Sequence, residues 1–150
     1  MILVCQVACL RQISNLFHAR VDAWGCDPAD GWTVHIEGAC GEFVVARELG
    51  KFWAGALGNL RADDVGRLQV RTSESHTDRL MLHDEDPDDR AFVLVTGIAP
   101  RFRIHGWILA REGKRPEWWD DPYGEKYGKE RPAYFVPQSE LHSIHDLHQT

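Results

Sequence analysis

The stretch Ala91-Phe92-Val93-Leu94-Val95 is apolar at five successive positions. A β-strand sends alternate side chains to opposite faces, so a run of this kind is satisfied as a strand only where both faces are covered. The chain must therefore build a layered fold around a central strand. The remaining sequence has to supply the covers.

Upstream, Ile13, Leu16, Phe17, Val21 and Trp24 recur at helical spacing, which predicts a first helix over about residues 9–25 with these side chains buried. Cys26-Asp27-Pro28-Ala29-Asp30-Gly31 reads as a turn. A second helix follows over about residues 33–52, with Ile36, Ala39, Cys40, Phe43, Ala46 and Leu49 as its buried stripe and Gly50 as its stop. Gly38 and Gly41 sit inside that helix, where each costs about 1 kcal/mol against Ala. Such a cost makes sense where a helix lies close against a sheet.

Near Asp64 the period changes to two. Val65, Leu68 and Val70 alternate with Arg67, Gln69 and Arg71 beyond a tight turn at Gly66. Leu80-Met81-Leu82 predicts a further strand, and Asp84-Glu85-Asp86-Pro87-Asp88-Asp89 a solvated acidic turn. Phe102, Ile104, Trp107 and Ile108 mark the strand after the central one. A helix is expected from Leu109 to about Asp120, broken at Pro122, then an exposed loop over 121–132. Ala133–Val136 reads as an edge strand because Pro137 has no N–H for a ladder. The expected fold is α/β (α+β): two helices, a meander of about four strands, a helix and a closing strand, giving a mixed central sheet of about four to five strands flanked by helices. No linker or repeat divides residues 1–150, which form one domain: an N-terminal helix and turn (1–30), a core (34–141) and a tail (142–150).

At 150 residues the chain is long enough to bury a core without disulfides or metals, and 43% apolar with 27% charged residues is an ordinary globular balance. The net charge of −6 argues against a protein that coats nucleic acid, which draws its affinity from neutralising phosphates. It leaves room for an enzyme with a carboxylate site or a local basic stripe. Cys5, Cys9, Cys26 and Cys40 show no zinc spacing and read as free thiols. The apolar opening Met1–Leu10 has no positive n-region and is ended by Arg11, short of a membrane span. A cytoplasmic protein that makes no use of a membrane is expected. Most of the six Trp are expected to serve packing.

The sharpest chemical feature is the strand Leu68–Thr72. Leu68 and Val70 can enter the core while Gln69 and Arg71 emerge together on the other face, with Asp64 across the Gly66 turn. Phosphodiester hydrolysis needs a carboxylate to hold a divalent metal, a second oxygen ligand and a cation to steady developing charge. This spacing gathers all three.

Gly41-Glu42 on a helix, then Asp64-Val65-Gly66, then Gln69-Val70-Arg71-Thr72 resemble the PD-(D/E)xK nuclease superfamily. With Phe92–Gly97, Gly106-Trp107-Ile108 and Arg131-Pro132-Ala133-Tyr134-Phe135-Val136-Pro137-Gln138, the chain is more closely similar to small phage and prophage proteins, over about residues 34–141. The resemblance implies a restriction-endonuclease-like α-β-β-β-α-β core and Mg2+-dependent DNA cleavage. It puts Glu42 at the helix glutamate, Asp64 at the metal aspartate, Gln69 where Asp or Glu is usual and Arg71 where Lys is usual. Gln keeps a carbonyl oxygen without the charge. Arg keeps the charge but does not readily give up a proton. Glu42, Asp64 and Gln69 are thus the candidate metal ligands, and Arg71 the candidate stabiliser of the phosphate.

A literal motif also occurs as Pro87-Asp88 with Glu112-Gly113-Lys114. The helix expected there would turn Glu112 and Lys114 about 200° apart, which argues against it. Arg101, Arg103, Arg111, Lys114 and Arg115 are candidate phosphate contacts, Arg101, Arg103, Lys114 and Arg115 being the DNA-binding set. They could equally be the solvent side of an amphipathic strand and helix. His35 is expected at a surface or capping position, and His142, His145 and His148 in a solvated tail. Two functions follow: a metal-dependent deoxyribonuclease of phage or mobile-element type, or a catalytically inactive module with that fold that grips DNA or a host protein. A third is a part of a larger assembly, if Trp118 and Trp119 are exposed.

Overall fold

The computed structural model describes residues 2–17, 31–53, 55, 63–122, 124 and 130–149. Two long helices, α1 (Ile2–Phe17) and α2 (Gly31–Glu48), are followed by β1 (Leu68–Ser73), β2 (Leu80–Leu82), β3 (Ala91–Ile98) and β4 (Arg101–Leu109). A short α3 (Ala110–Gly113), β5 (Trp119–Asp120) and β6 (Ala133–Val136) complete the order, with single 3-10 turns at Pro116–Trp118 and Gln138–Glu140 and a longer one at Ile144–Gln149. The chain is a mixed α+β protein. No helix among the described residues is long and apolar enough to cross a membrane.

The strands form two three-stranded sheets, in the orders β1-β3-β4 and β2-β6-β5, rather than one sheet of four to five. β1 runs parallel to β3, with Val70 opposite Val93, and β4 runs antiparallel to β3. Parallel neighbours need a crossover of a dozen or more residues. Residues 74–90 supply it by carrying β2 out to the second sheet, so the expected meander is broken at that point. β6 lies at the centre of the second sheet between β2 and β5. The edge position read from Pro137 is thus corrected: the strand ends at Val136, and the missing N–H falls outside the ladder.

β3 is the central strand that the apolar run demands. Ala91, Val93 and Val95 face the helices and share a core with Val4, Val7 and Ala8 of α1 and Ala39, Val45 and Ala46 of α2. Phe92 and Leu94 face the second sheet and pack with Leu80, Leu82, Ile108 and Val136. The layers run helices, first sheet, second sheet. Ile104 and Trp107 are half-buried against the helix-side core.

α2 keeps its predicted stripe, with Ala39, Cys40, Ala46 and Leu49 buried and Ile36 and Phe43 packed against the core. Gly50 stops it in the left-handed region at φ 61°. A Cβ at Gly41 would collide with Thr72 Oγ1 on β1, so helix and sheet meet there at a distance only glycine allows. Gly38 has open space around it and gets no such account.

α1 is rotated from its expected face. Val4, Val7, Ala8 and Gln12 are buried, whereas Ile13, Leu16 and Phe17 are exposed, Phe17 at 85%. The helix is apolar on two stripes, and the inner one carries the smaller residues that fit against α2. The predicted continuation through Val21 and Trp24, and the turn at 26–30, lie outside the described residues. The helix expected over 109–120 is also corrected. It stops at Gly113, and Pro116, which cannot donate to a preceding turn, starts a 3-10 turn that leads into β5. Most of the loop expected over 121–132 lies outside the described residues. The tail is packed rather than frayed: Ile144 is buried and Leu147 packs against the same core. His142 exchanges backbone hydrogen bonds with Trp107, N–H to O at 2.8 and 3.0 Å.

Candidate functional site

Glu42 lies on the inner face of α2 and is 5% exposed. A buried carboxylate needs partners, and two are present. Arg11 of α1 donates from both terminal nitrogens, to Oε1 at 2.6 Å and Oε2 at 2.9 Å. Trp53 Nε1 donates to Oε2 at 3.0 Å. The planar guanidinium is the cation best matched to a carboxylate in this two-point geometry. Asn15 and His35 meet at 2.9 Å one turn away, so the polar residues of α1 and α2 zip the two helices together antiparallel.

Asp64 is drawn to the same place by the tight turn at Gly66, whose φ of 64° suits glycine. Leu68 O accepts from the N–H groups of Asp64 and Val65, and Asp64 Oδ2 accepts from Val70 N at 2.8 Å, on the free edge of β1. Burial first, then the charge of Glu42, push the Asp64 carboxyl up to about 7, against the Val70 hydrogen bond and the charges of Arg11 and Arg71. Burial works to lower the Arg11 guanidinium, and its contacts with Glu42 together with the charge of Asp64 overcome that and hold it above its ordinary range.

Gln69 and Arg71 lie on the other face of the sheet. Thr72 and Val70 point at the helices, so the strand alternation turns their neighbours toward the second sheet. Gln69 Nε2 reaches Asp63 Oδ1 at 3.4 Å, not Asp64 as the spacing predicts. Asp63 pairs with Arg90, whose hydrogen bond draws its carboxyl below the usual range. Arg71 donates to Asp86 at 2.9 and 3.1 Å and lies 5.1 Å from the centre of the Phe92 ring. The structure therefore brings together Glu42 and Asp64, and sets Gln69 and Arg71 apart from them.

Arranged this way, the four residues do not converge on one point. Both Glu42 oxygens and one Asp64 oxygen are engaged by N–H donors, and Gln69 faces away. No group of three or more His, Cys, Asp or Glu side chains is arranged to hold a metal among the described residues.

The literal motif is half assembled. Lys114 Nζ donates to Asp88 Oδ1 at 2.8 Å and to the Asp84 and Asp86 carbonyls at 2.8 and 2.5 Å, while Glu112 turns to His142, 3.4 Å away. The acidic turn is therefore a built loop, not merely a solvated one: Lys114 holds its backbone, and Asp86 accepts from Arg71 and from His83 N. Of the four candidate DNA contacts, Arg101 and Arg103 are exposed and make no ion pair among the described residues. Lys114 is engaged as above. Arg115 lies 4.4 Å from the centre of the Trp118 ring and 3.6 Å from Glu140. Trp118 is half-buried, and Trp119 is partly exposed against Tyr134.

Sequence reasoning missed Arg11 and Trp53, which complete the cluster. The available signal was Arg11, Gln12 and Asn15 breaking an otherwise apolar helix, since polar residues on a packed face need partners. His76, Thr96 and His105 were missed as well. They form a chain, with His76 Nδ1 2.8 Å and His105 Nε2 2.6 Å from the Thr96 hydroxyl oxygen. Comparison with family models, with curated proteins and with solved structures finds no match to this chain.

Proposed function

We propose that the chain is a nuclease-like module of the PD-(D/E)xK type that has exchanged its cleavage centre for an internal ion pair, and that it works by binding DNA or a host protein. The observation that carries this reading is the two-point contact of Arg11 with Glu42. It puts a fixed positive charge of the chain's own where the resemblance would put a metal. The position of Gln69 and Arg71 on the opposite face supports the same reading. Arg101 and Arg103, exposed on β4, are two of its accessible cations, and the net charge of −6 confines any nucleic-acid contact to a local patch.

A second reading, metal-dependent deoxyribonuclease, is favoured by one observation: Glu42 and Asp64 are brought together. It requires Arg11 to leave Glu42. The two readings part in a nicking assay on supercoiled DNA with Mg2+ or Mn2+. The binding-module reading expects no nicking by the parent chain and DNA retention in a gel-shift assay with no divalent ion present. Nicking that disappears in Asp64→Ala and persists in Glu112→Ala overturns it in favour of the enzyme.

A further inference from the structure

The crossover between β1 and β2 folds His76 onto the far end of the first sheet, where it meets residues that the Glu42 cluster does not use. Thr96 is fully buried there, and its hydroxyl sits between two imidazoles. His105 reaches it because β4 carries a bulge: the register slips between Leu94 and Val95, leaving His105 as the extra residue between Ile104 and Gly106. Arg103 lies opposite Thr96 and Arg101 opposite Ile98, so both guanidinium groups rise from the same face as Thr96.

The hydrogen bonds in this group have a direction that can be worked out. Gln138 Nε2 donates to the carbonyls of His76, at 2.9 Å, and Asp78, at 2.7 Å, which uses both its hydrogens. Its remaining oxygen can only accept. Gln138 works to raise the His105 imidazole, as an acceptor facing a ring N–H does, so that oxygen is the atom turned to the ring. Since Nε2 of that ring faces Thr96, the donor is Nδ1, and Nε2 holds a lone pair. Thr96 must then give its one hydrogen to His105 and accept from His76 Nδ1–H. The ring of His76, an exposed residue, then carries its lone pair on Nε2.

We propose that His76, Arg101 and Arg103 form a binding site for a phosphate group, in which the His105–Thr96 relay fixes the His76 ring with Nε2 facing the ligand. Two guanidinium groups supply charge and planar donors, and the imidazole supplies a third donor once protonated at Nε2. Both guanidinium groups are exposed and make no ion pair among the described residues, so they keep their donors for a ligand. The nearby carboxylates are engaged: Glu37 accepts from Ala99 N at 3.2 Å, and Asp78 accepts from the Ser73 hydroxyl. Glu74, exposed on the crossover, is the remaining negative charge close in sequence. This inference rests on the binding-module reading for its class of partner and adds the group that is recognised.

Nuclear magnetic resonance on the full chain tests it, with inorganic phosphate and a short oligothymidylate as separate titrants. Long-range nitrogen–proton spectra should show both His76 and His105 protonated at Nδ1 in the unligated protein. Each titrant should shift the His76 ring and the Arg101 and Arg103 side chains. Tighter binding of the oligonucleotide assigns the phosphate to a nucleic-acid backbone, and equal binding to a small phosphorylated molecule. Arg101→Ala with Arg103→Ala, both surface changes, should weaken binding about tenfold or more. Thr96→Val should abolish the Nδ1 preference of His76. If Thr96→Val does not fold, the arginine pair still decides. Unchanged affinity in that double variant overturns the proposal, as does His76 protonated at Nε2 or no shift with either titrant. These titrations do not read cleavage, so the site and the loss of cleavage fail separately.

Discussion

Replacing Asp64 by Asn should make the protein more stable, and by an amount that depends on pH. The carboxyl is raised from 3.8 to about 7 by burial and by the charge of Glu42. Between those values the folded chain holds a proton that the unfolded chain releases. Stability from this group is therefore fully present below pH 4 and is lost as pH climbs through 7. Each pH unit of that interval is worth about 1.4 kcal/mol, which puts the penalty at pH 8 at no more than about 4 kcal/mol. Asn carries no charge at any pH, and its side-chain oxygen still accepts from Val70 N. The variant's advantage should grow by about 3 kcal/mol between pH 4.5 and pH 8, on the order of 10 °C in Tm for a domain of this size. Paired thermal or urea melts from pH 4.5 to 8.5 measure the difference, in which groups common to both proteins cancel. A difference that stays flat with pH refutes the reasoning. A variant that loses ground as pH rises would mean that Arg11 holds Asp64 ionised and that attraction outweighs burial.

Two further substitutions probe the packing around that group. Arg11→Gln strands the Glu42 carboxylate and should cost about 3–5 kcal/mol, and most of that should return when Glu42→Gln is added, which a double-mutant cycle from urea melts would measure. Additive losses would show that the pair is not coupled. Gly41→Ala drives a methyl group into Thr72 Oγ1 and should cost about 1–3 kcal/mol, with partial recovery on adding Thr72→Ala. Equal losses with and without Thr72 would place the strain elsewhere.

What could be read in the sequence was whatever depends on local pattern. Ala91–Val95 demanded cover on both faces and has it, because no other use of five consecutive apolar side chains is stable in a strand. The stripe of α2, its stop at Gly50 and the turn at Gly66 followed from helical period and glycine backbone freedom. The pairing of Glu42 with Asp64 was expected from the resemblance and is present as proximity. The larger failures are questions of which surface meets which. α1 offered two apolar stripes, and the choice fell on the one with smaller residues facing α2, which moved Ile13, Leu16 and Phe17 outward. The crossover through β2 divided one expected sheet into two, and no period in residues 74–90 announces that. Arg11 lies 31 residues from Glu42, and side-chain ion pairs at that separation leave no mark in sequence spacing.

The His142 strap has a consequence for how this protein behaves at high concentration. A three-stranded sheet has two outer rows of backbone N–H and C=O groups, and each can template a strand from another molecule. Here the β1 row is occupied by the turn through Asp64 and Val65, and the β4 row is met at Trp107 by the His142 backbone. Gly106 makes that approach possible, since with a φ of 149° a Cβ there would strike the His142 carbonyl. Cutting the chain before Leu141 would leave the middle of β4 open. Such a protein also gives up Leu141, Ile144 and Leu147 from the two cores, and should assemble edge to edge as well as lose stability.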